Sequence, residues 1–251
     1  MSTEQSDIPV EPAPWRLTGK AWLFLLSGVP ELSSLPAGFA ATYQAEALAT
    51  GGKYIGGPGL VQVVSYTESP VGPYNELIYT PGRWQYDDGS AGFRITRIFV
   101  STKASAANGR RNWNIPKEVA DFDYKKGPDG NMHFSVSLPG TSTPFFKASL
   151  QSVSLVTRIA IPGKTTLLGQ YFKLIQPPLP AGDNPEEVGT SQWVDLVPVM
   201  KGSAHAIWVI PEIDGKLGDG VNFPAVVPWS LAIFLDNVDF NVGVATFFDS
   251  R

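Results

Sequence analysis

The residue in this sequence best suited to covalent chemistry is Lys117. It follows a proline in the segment Gly109-Arg110-Arg111-Asn112-Trp113-Asn114-Ile115-Pro116-Lys117-Glu118-Val119-Ala120. Trp113 and Ile115 precede it, and Val119 and Ala120 follow it. Among apolar neighbours the charged ammonium is disfavoured by desolvation. The free amine that results can attack a ketone and form a Schiff base. A second segment, Glu68 to Tyr79, places Glu76 at the start of an apolar strand, directly after the Gly72-Pro73 turn. On local pattern alone a plainer alternative stands for both residues. Pro116 could open a short helix with Lys117 and Glu118 solvated in its first turn, and Glu76 could be an exposed strand-start residue.

Other chemistries find little support. There are no cysteines, which removes disulfides, thiolate metal sites and cysteine nucleophiles. The two histidines, His133 and His205, cannot build a three-histidine metal site. Gly51 to Gly59 is glycine-rich but fits no Gly-x-Gly-x-x-Gly, and Gly163-Lys164-Thr165 has Arg158 where a phosphate loop needs glycine. That tripeptide reads as a strand-to-strand turn. No Gly-x-Ser-x-Gly elbow occurs. His133 lies on the polar face of an alternating strand, and His205 opens an apolar strand as a structural histidine. Paired carboxylates need no local spacing, so a glycosidase-type pair stays open.

The elements that must carry Lys117 and Glu76 are mainly strands. Met132 to Leu138 alternates strictly. Leu60 to Thr67, Phe93 to Thr102, Ser149 to Ile161 and Ala204 to Ile210 are rich in β-branched and aromatic residues. Trp229 to Phe248 reads as two short strands around Asp236-Asn237. Turns fall at Asp87-Asp88-Gly89, Gly127 to Gly130 and Asp214-Gly215. Short helices are expected at Pro30 to Leu35, Tyr43 to Leu48 and Pro116 to Phe122. Gln176 to Gly189 reads as a long surface loop.

The chain has 251 residues, 43% hydrophobic and 17% charged, enough to bury a large core. A net charge of −4 disfavours a nucleic-acid footprint. The start lacks a secretory pattern, and no apolar run is long enough for a membrane span. The expectation is a soluble cytoplasmic protein with a polar, proline-bearing tail at residues 1–14 and one domain from 15 to 251. Many strands in one domain favour a barrel, because closure removes exposed edges.

At the two segments singled out, the sequence resembles the acetoacetate decarboxylase superfamily. Gly109-Arg110 followed by Pro116-Lys117 matches the Gly-Arg … Pro-Lys pattern of that family, and Gly72-Pro73-Tyr74-Asn75-Glu76 matches its Gly-x-Tyr-x-Glu segment. The resemblance implies a mainly β fold: a single cone-like, mostly antiparallel β-barrel with a few short helices and an apolar central cavity. It implies Lys117 as the Schiff-base lysine and Glu76 as the carboxylate that positions substrate or moves protons. Tyr74, Trp113 and Lys20 are the implied substrate contacts, and Arg110 is implied as a structural or substrate-orienting residue. The sequence departs from the family at two positions. Glu118 stands where the family has a second lysine, and Arg111 stands where it has a glutamate. A salt bridge between Arg111 and Glu118 would neutralise the swap, and the two are the expected modulators of Lys117. The implied activity is release of CO2 from a β-keto acid or related ketone. No metal or organic cofactor is needed for it. The partners expected are a small-molecule keto acid or ketone and further copies of the chain. Two alternatives stand beside decarboxylation: a Schiff-base enzyme of aldol, dehydration or cyclisation type acting on a larger apolar substrate, and a barrel that binds a small molecule without chemistry.

Overall fold

In a computed structural model of the protein, residues 8–153, 161–164 and 173–250 are described. In chain order the elements are β1 (Trp15–Leu26), a 3-10 turn (Thr42–Gln44) leading into helix α1 (Ala45–Ala49), β2 (Lys53–Gly56), β3 (Gly59–Glu68), β4 (Tyr74–Thr80), β5 (Arg83–Gln85), β6 (Ala91–Phe93), β7 (Arg97–Val100), helix α2 (Lys103–Trp113), β8 (Lys117–Val119), β9 (Asp121–Lys126), β10 (Met132–Ser137), β11 (Pro144–Ser152), β12 (Ile161–Lys164), β13 (Leu174–Gln176), β14 (Trp193–Leu196), β15 (Val199–Pro211), β16 (Leu231–Val242) and β17 (Thr246–Phe248). The fold is mainly β, as the strand patterns predict. Among the described residues no helix is long and apolar enough to cross a membrane.

The larger sheet runs β8-β7-β4-β3-β1-β16-β15-β11-β10-β9, with β12 added on β15. Its pairs are antiparallel except β7 with β8. The two end strands, β8 and β9, are separated in sequence by Ala120 alone. Laid flat, ten strands would hold these edges about 40 Å apart. A single residue spans about 3.5 Å, so the sheet has to curl. Tyr124 on β9 accordingly reaches Ser65 Oγ on β3 at 2.7 Å and packs near Trp22 of β1. The result is a curled half-barrel.

Alternation along the strands gives this sheet two apolar faces. One holds Phe24, Val63, Leu77, Tyr79, Phe99 and Phe146. The other holds Leu17, Val64, Tyr66, Ile78 and Ile98, packed with Trp113 of α2 and with Val194 and Leu196 of the second sheet. The second sheet runs β17-β14-β13-β6-β5-β2. Its core of Trp84, Tyr86, Ile175 and Trp193 carries the Arg94 guanidinium 4.7 Å from the Trp84 ring.

Several local expectations change. Pro116 to Phe122 is extended, in β8 and β9, where a helix was expected. Pro30 to Leu35 forms no helix. The helix expected near Tyr43 to Leu48 is present, and the three predicted turns are turns. The interruption at Asp236-Asn237 is a β-bulge inside one continuous strand. Asn237 has φ 51°, and the register shifts on both flanking strands at this point. Of the segment 149–161, residues 154–160 lie outside the described ones, as does Thr165 of the Gly163-Lys164-Thr165 turn. Gly163 and Lys164 belong to β12. In the N-terminal segment read as a tail, residues 1–7 lie outside the described residues, while the Asn108 amide bonds the Pro9 carbonyl at 2.9 Å.

Candidate active site

Helix α2 and strand β8 together deliver Lys117. Thr102 caps the helix, its hydroxyl accepting from the Ser105 N–H at 3.3 Å. The helix ends at Asn114, in the left-handed region with φ 51°, a conformation asparagine tolerates better than most residues. The Asn114 amide then donates to the Pro177 and Gln192 carbonyls at 2.9 and 2.6 Å. Pro116 follows, and its predecessor is biased to extended backbone. The chain continues as β8, parallel to β7, with Lys117 opposite Ile98 and Glu118 opposite Phe99. Neighbouring strand residues point to opposite faces. Lys117 therefore faces the cavity described below, and Glu118 faces away from it.

Lys117 is 3% exposed and Glu76 4%. The Lys117 Nζ donates to Glu76 Oε1 at 2.5 Å and to Ser105 Oγ at 3.0 Å. It also lies 5.2 Å from the centre of the Tyr74 ring. The Tyr66 hydroxyl donates to Glu76 Oε2 at 3.4 Å. Burial, reinforced by the Glu76 charge, holds the Tyr66 and Tyr74 phenols well above their ordinary range, so both stay protonated. Gly109 of α2 packs directly on the lysine. A Cβ there would sit 2.6 Å from Lys117 Cδ and 3.2 Å from Nζ.

The pair opens into a cavity of about 270 Å³ between the larger sheet, α2 and the second sheet. Among the described residues, Lys117 and Glu76 are the only charged ones lining it. Gln62, Thr80, Tyr66 and Tyr74 supply other polar atoms, and the remaining lining is apolar except for Gly59 backbone. The strand register lays out its floor. Glu76 pairs with Val64, Ile78 with Gln62 and Thr80 with Leu60. Val64, Gln62 and Leu60 pair in turn with Ala21, Leu23 and Leu25. At the other end Trp15, Tyr66, Tyr74 and Trp113 are all buried.

The structure brings Lys117, Glu76, Tyr74 and Trp113 to this one cavity and places the remaining candidates elsewhere. Lys20 points to the opposite face of β1, beside Trp22, half-exposed and 3.7 Å from Asp236. Arg110 is fully buried but does not line the cavity. Its guanidinium donates to the Val188 and Pro180 carbonyls at 2.7 and 2.6 Å, to Gln44 Oε1 at 3.0 Å and to the Tyr43 hydroxyl at 3.3 Å. It is a clamp that ties α2 to the loop over residues 177–192. The expected Arg111–Glu118 bridge does not form. Glu118 pairs with Arg97 on β7 at 2.8 Å and accepts from Gln44 at 3.1 Å. Phe99 stands opposite Glu118, and Arg97, two residues along the same strand, shares its face. Burial raises the Glu118 pKa, and Arg97 opposes that rise.

Two residues, Ser105 and Tyr66, escaped the sequence analysis, as did the role of a third, Gly109. Ser105 lies in a helix whose buried side is small and polar rather than an apolar stripe. Tyr66 could have been found by alternation, two positions beyond Val64 on β3. Gly109 belongs to the motif, but its role is close approach to the lysine. Outside the site, His133 Nδ1 lies 2.8 Å from Ser149 Oγ and Nε2 3.2 Å from Asp129. Among the described residues no cluster of histidine, aspartate and glutamate could hold a metal ion.

An amine in contact with one carboxylate, in an otherwise apolar cavity, is equipped to capture a carbonyl and move a proton. No protein-family profile and no curated protein sequence matches the chain. Solved structures do. The acetoacetate decarboxylase of Legionella pneumophila is similar over 98% of this chain and 94% of its own, with a TM-score of 0.63 and 13% identity. An acetoacetate decarboxylase-like enzyme from Sphingomonas wittichii covers 96% and 95%, with a TM-score of 0.58 and 15% identity. MppR, an enduracididine biosynthesis enzyme, covers 95% and 88% at 0.54 and 13%. The chain has the acetoacetate decarboxylase-like fold.

Proposed function

We propose that this acetoacetate decarboxylase-like barrel is an enzyme that releases CO2 from a β-keto acid through an imine on Lys117. The observation that carries the reading is the buried Lys117–Glu76 contact in a cavity with no other charged lining residue among the described ones. Transfer of the ammonium proton to Glu76 frees the amine, which adds to the ketone carbon. Loss of water from the carbinolamine gives the protonated imine. The bond between the carboxyl carbon and the α-carbon then breaks. Its electron pair moves into the iminium, CO2 leaves, and a neutral enamine remains. Glu76, having given its first proton to the hydroxyl that left as water, takes up one from solvent and passes it to the α-carbon, and water hydrolyses the resulting iminium to the ketone and the Lys117 ammonium. The step that breaks the bond disperses charge, because an iminium carboxylate becomes two neutral products. A lining without a second cation does not hold the starting carboxylate back. The protonated Tyr66 phenol beside Glu76 helps to hold it in place.

One alternative is a condensation. MppR has been observed with the condensation product of pyruvate and imidazole 4-carboxaldehyde, and this cavity has room beyond a small keto acid. The test is borohydride reduction with a panel of β-keto acids and aldehydes, peptide mapping and CO2 measurement. Ligand mass confined to Lys117, CO2 release, and loss of about a thousandfold or more in Lys117→Met are expected. Glu76→Gln should cost about 10²- to 10⁴-fold. Trapping without CO2 would favour condensation. Binding that survives in Lys117→Met without turnover in the parent would mean a non-catalytic barrel.

A further inference from the structure

We infer that the substrate is a β-keto acid with a long unbranched apolar tail, lying along the β3–β4 floor from Lys117 to the Pro58 rim of the cavity. This rests on the imine reading above and adds the substrate class. The first argument is size. An engineered apolar cavity of about 150 Å³ is filled by benzene. The 270 Å³ here takes about eleven non-hydrogen atoms at the same packing. A four-carbon keto acid has about seven such atoms and would leave roughly a third of the space empty. Apolar voids of that size cost binding contacts.

The second argument is direction. From the Glu76 row to the Thr80 row the floor runs four residues, about 13 Å of strand. Leu23, Leu25 and Leu60 border this path, and among the described residues it offers no charged group beyond Glu76. Among the described lining residues Pro58, at the Thr80 end, is the one that is exposed; Leu60 and Leu25 beside it are partly exposed, and Glu76, Ile78 and Thr80 are buried. At the opposite end the rings of Trp15, Tyr66, Tyr74 and Trp113 are buried, while Phe240 and Met200 are partly exposed. The reacting carbonyl therefore sits at the end of Lys117 and Glu76, and the tail points to the Pro58 rim.

The experiment uses the full chain and straight-chain 3-oxo acids of four to twelve carbons. kcat/KM for CO2 release should climb about fourfold per methylene, roughly two hundredfold from four to eight carbons, then level off as the tail passes the rim. Leu25→Trp, which narrows the path, should reduce the eight-to-four ratio about tenfold or more. A flat or falling series, with Lys117 still trapped by borohydride, overturns the long-tail inference and leaves the imine reading intact. Trapping that climbs with chain length without CO2 supports the tail and overturns decarboxylation. If no acid is trapped, the imine reading fails, and calorimetric titration with 2-alkanones decides the tail separately: affinity rising with length supports it, and constant affinity overturns it.

Discussion

Gly109 shows how a residue without functional groups can govern one that has them. Its missing side chain lets α2 lie against the lysine stem, with a virtual Cβ 2.6 Å from Lys117 Cδ and 2.7 Å from Cε. The helix thereby holds Nζ between Glu76 and Ser105. Gly109→Ala should improve helix propensity by about 1 kcal/mol, so the fold should survive. The added methyl must displace the lysine. Since small misplacements of reacting groups are costly, borohydride trapping on Lys117 should slow by about tenfold to a hundredfold. An unchanged trapping rate in Gly109→Ala would show that the contact does not position the amine.

At the scale of elements, the decisive fact is that Lys117 lies on a strand. On a helix Glu118 would sit about 100° from Lys117 and could share its surroundings. On β8 it points the opposite way and meets Arg97, which is buried and also donates to the Asn222 carbonyl at 2.8 Å. Glu118→Gln should then act on stability and not on the amine. Losing the charged acceptor of a buried arginine should cost about 2 kcal/mol in denaturant unfolding. The rate of imine trapping should stay within about twofold of the parent. If trapping changed tenfold, the Glu118 charge would be acting on Lys117 through the strand. Arg110 belongs to the same scale. Its four hydrogen bonds join α2, the 3-10 turn and the carbonyls at 180 and 188, so its contribution to the site is the placement of a helix.

For the molecule as a whole, a cavity between two sheets presents a mostly apolar lining that a ligand can cover. A ketone that fills it binds the folded chain alone and stabilises it by mass action, about 2.7 kcal/mol at a hundred times its Kd. For a chain of this size that is about 5–10 °C. The probe is 2-heptanone, the product expected from an eight-carbon 3-oxo acid. At a hundred times its Kd it should raise the unfolding temperature by this amount, and acetone at the same concentration should raise it less. Equal midpoints with and without 2-heptanone would count against an accessible cavity.

Much of this protein is legible in its sequence. Strand alternation and turn dipeptides point to a mainly β domain, because side-chain period and backbone sterics act over a few residues. The Gly-Arg … Pro-Lys and Gly-x-Tyr-x-Glu segments single out Lys117, Glu76 and the aromatic residues beside them. What the sequence by itself left open is which residues meet. Lys20 and Arg110 carry the right charge for substrate contact, yet strand direction and the clamp on the 177–192 loop take them away from the cavity. Arg111 looked like the partner of Glu118, but a neighbouring strand brings Arg97 there instead. Helix α2 was missed because it is buried on nearly every side and shows no apolar stripe. These outcomes depend on pairing between segments far apart in the chain, where burial and hydrogen bonding across the whole fold outweigh any local pattern.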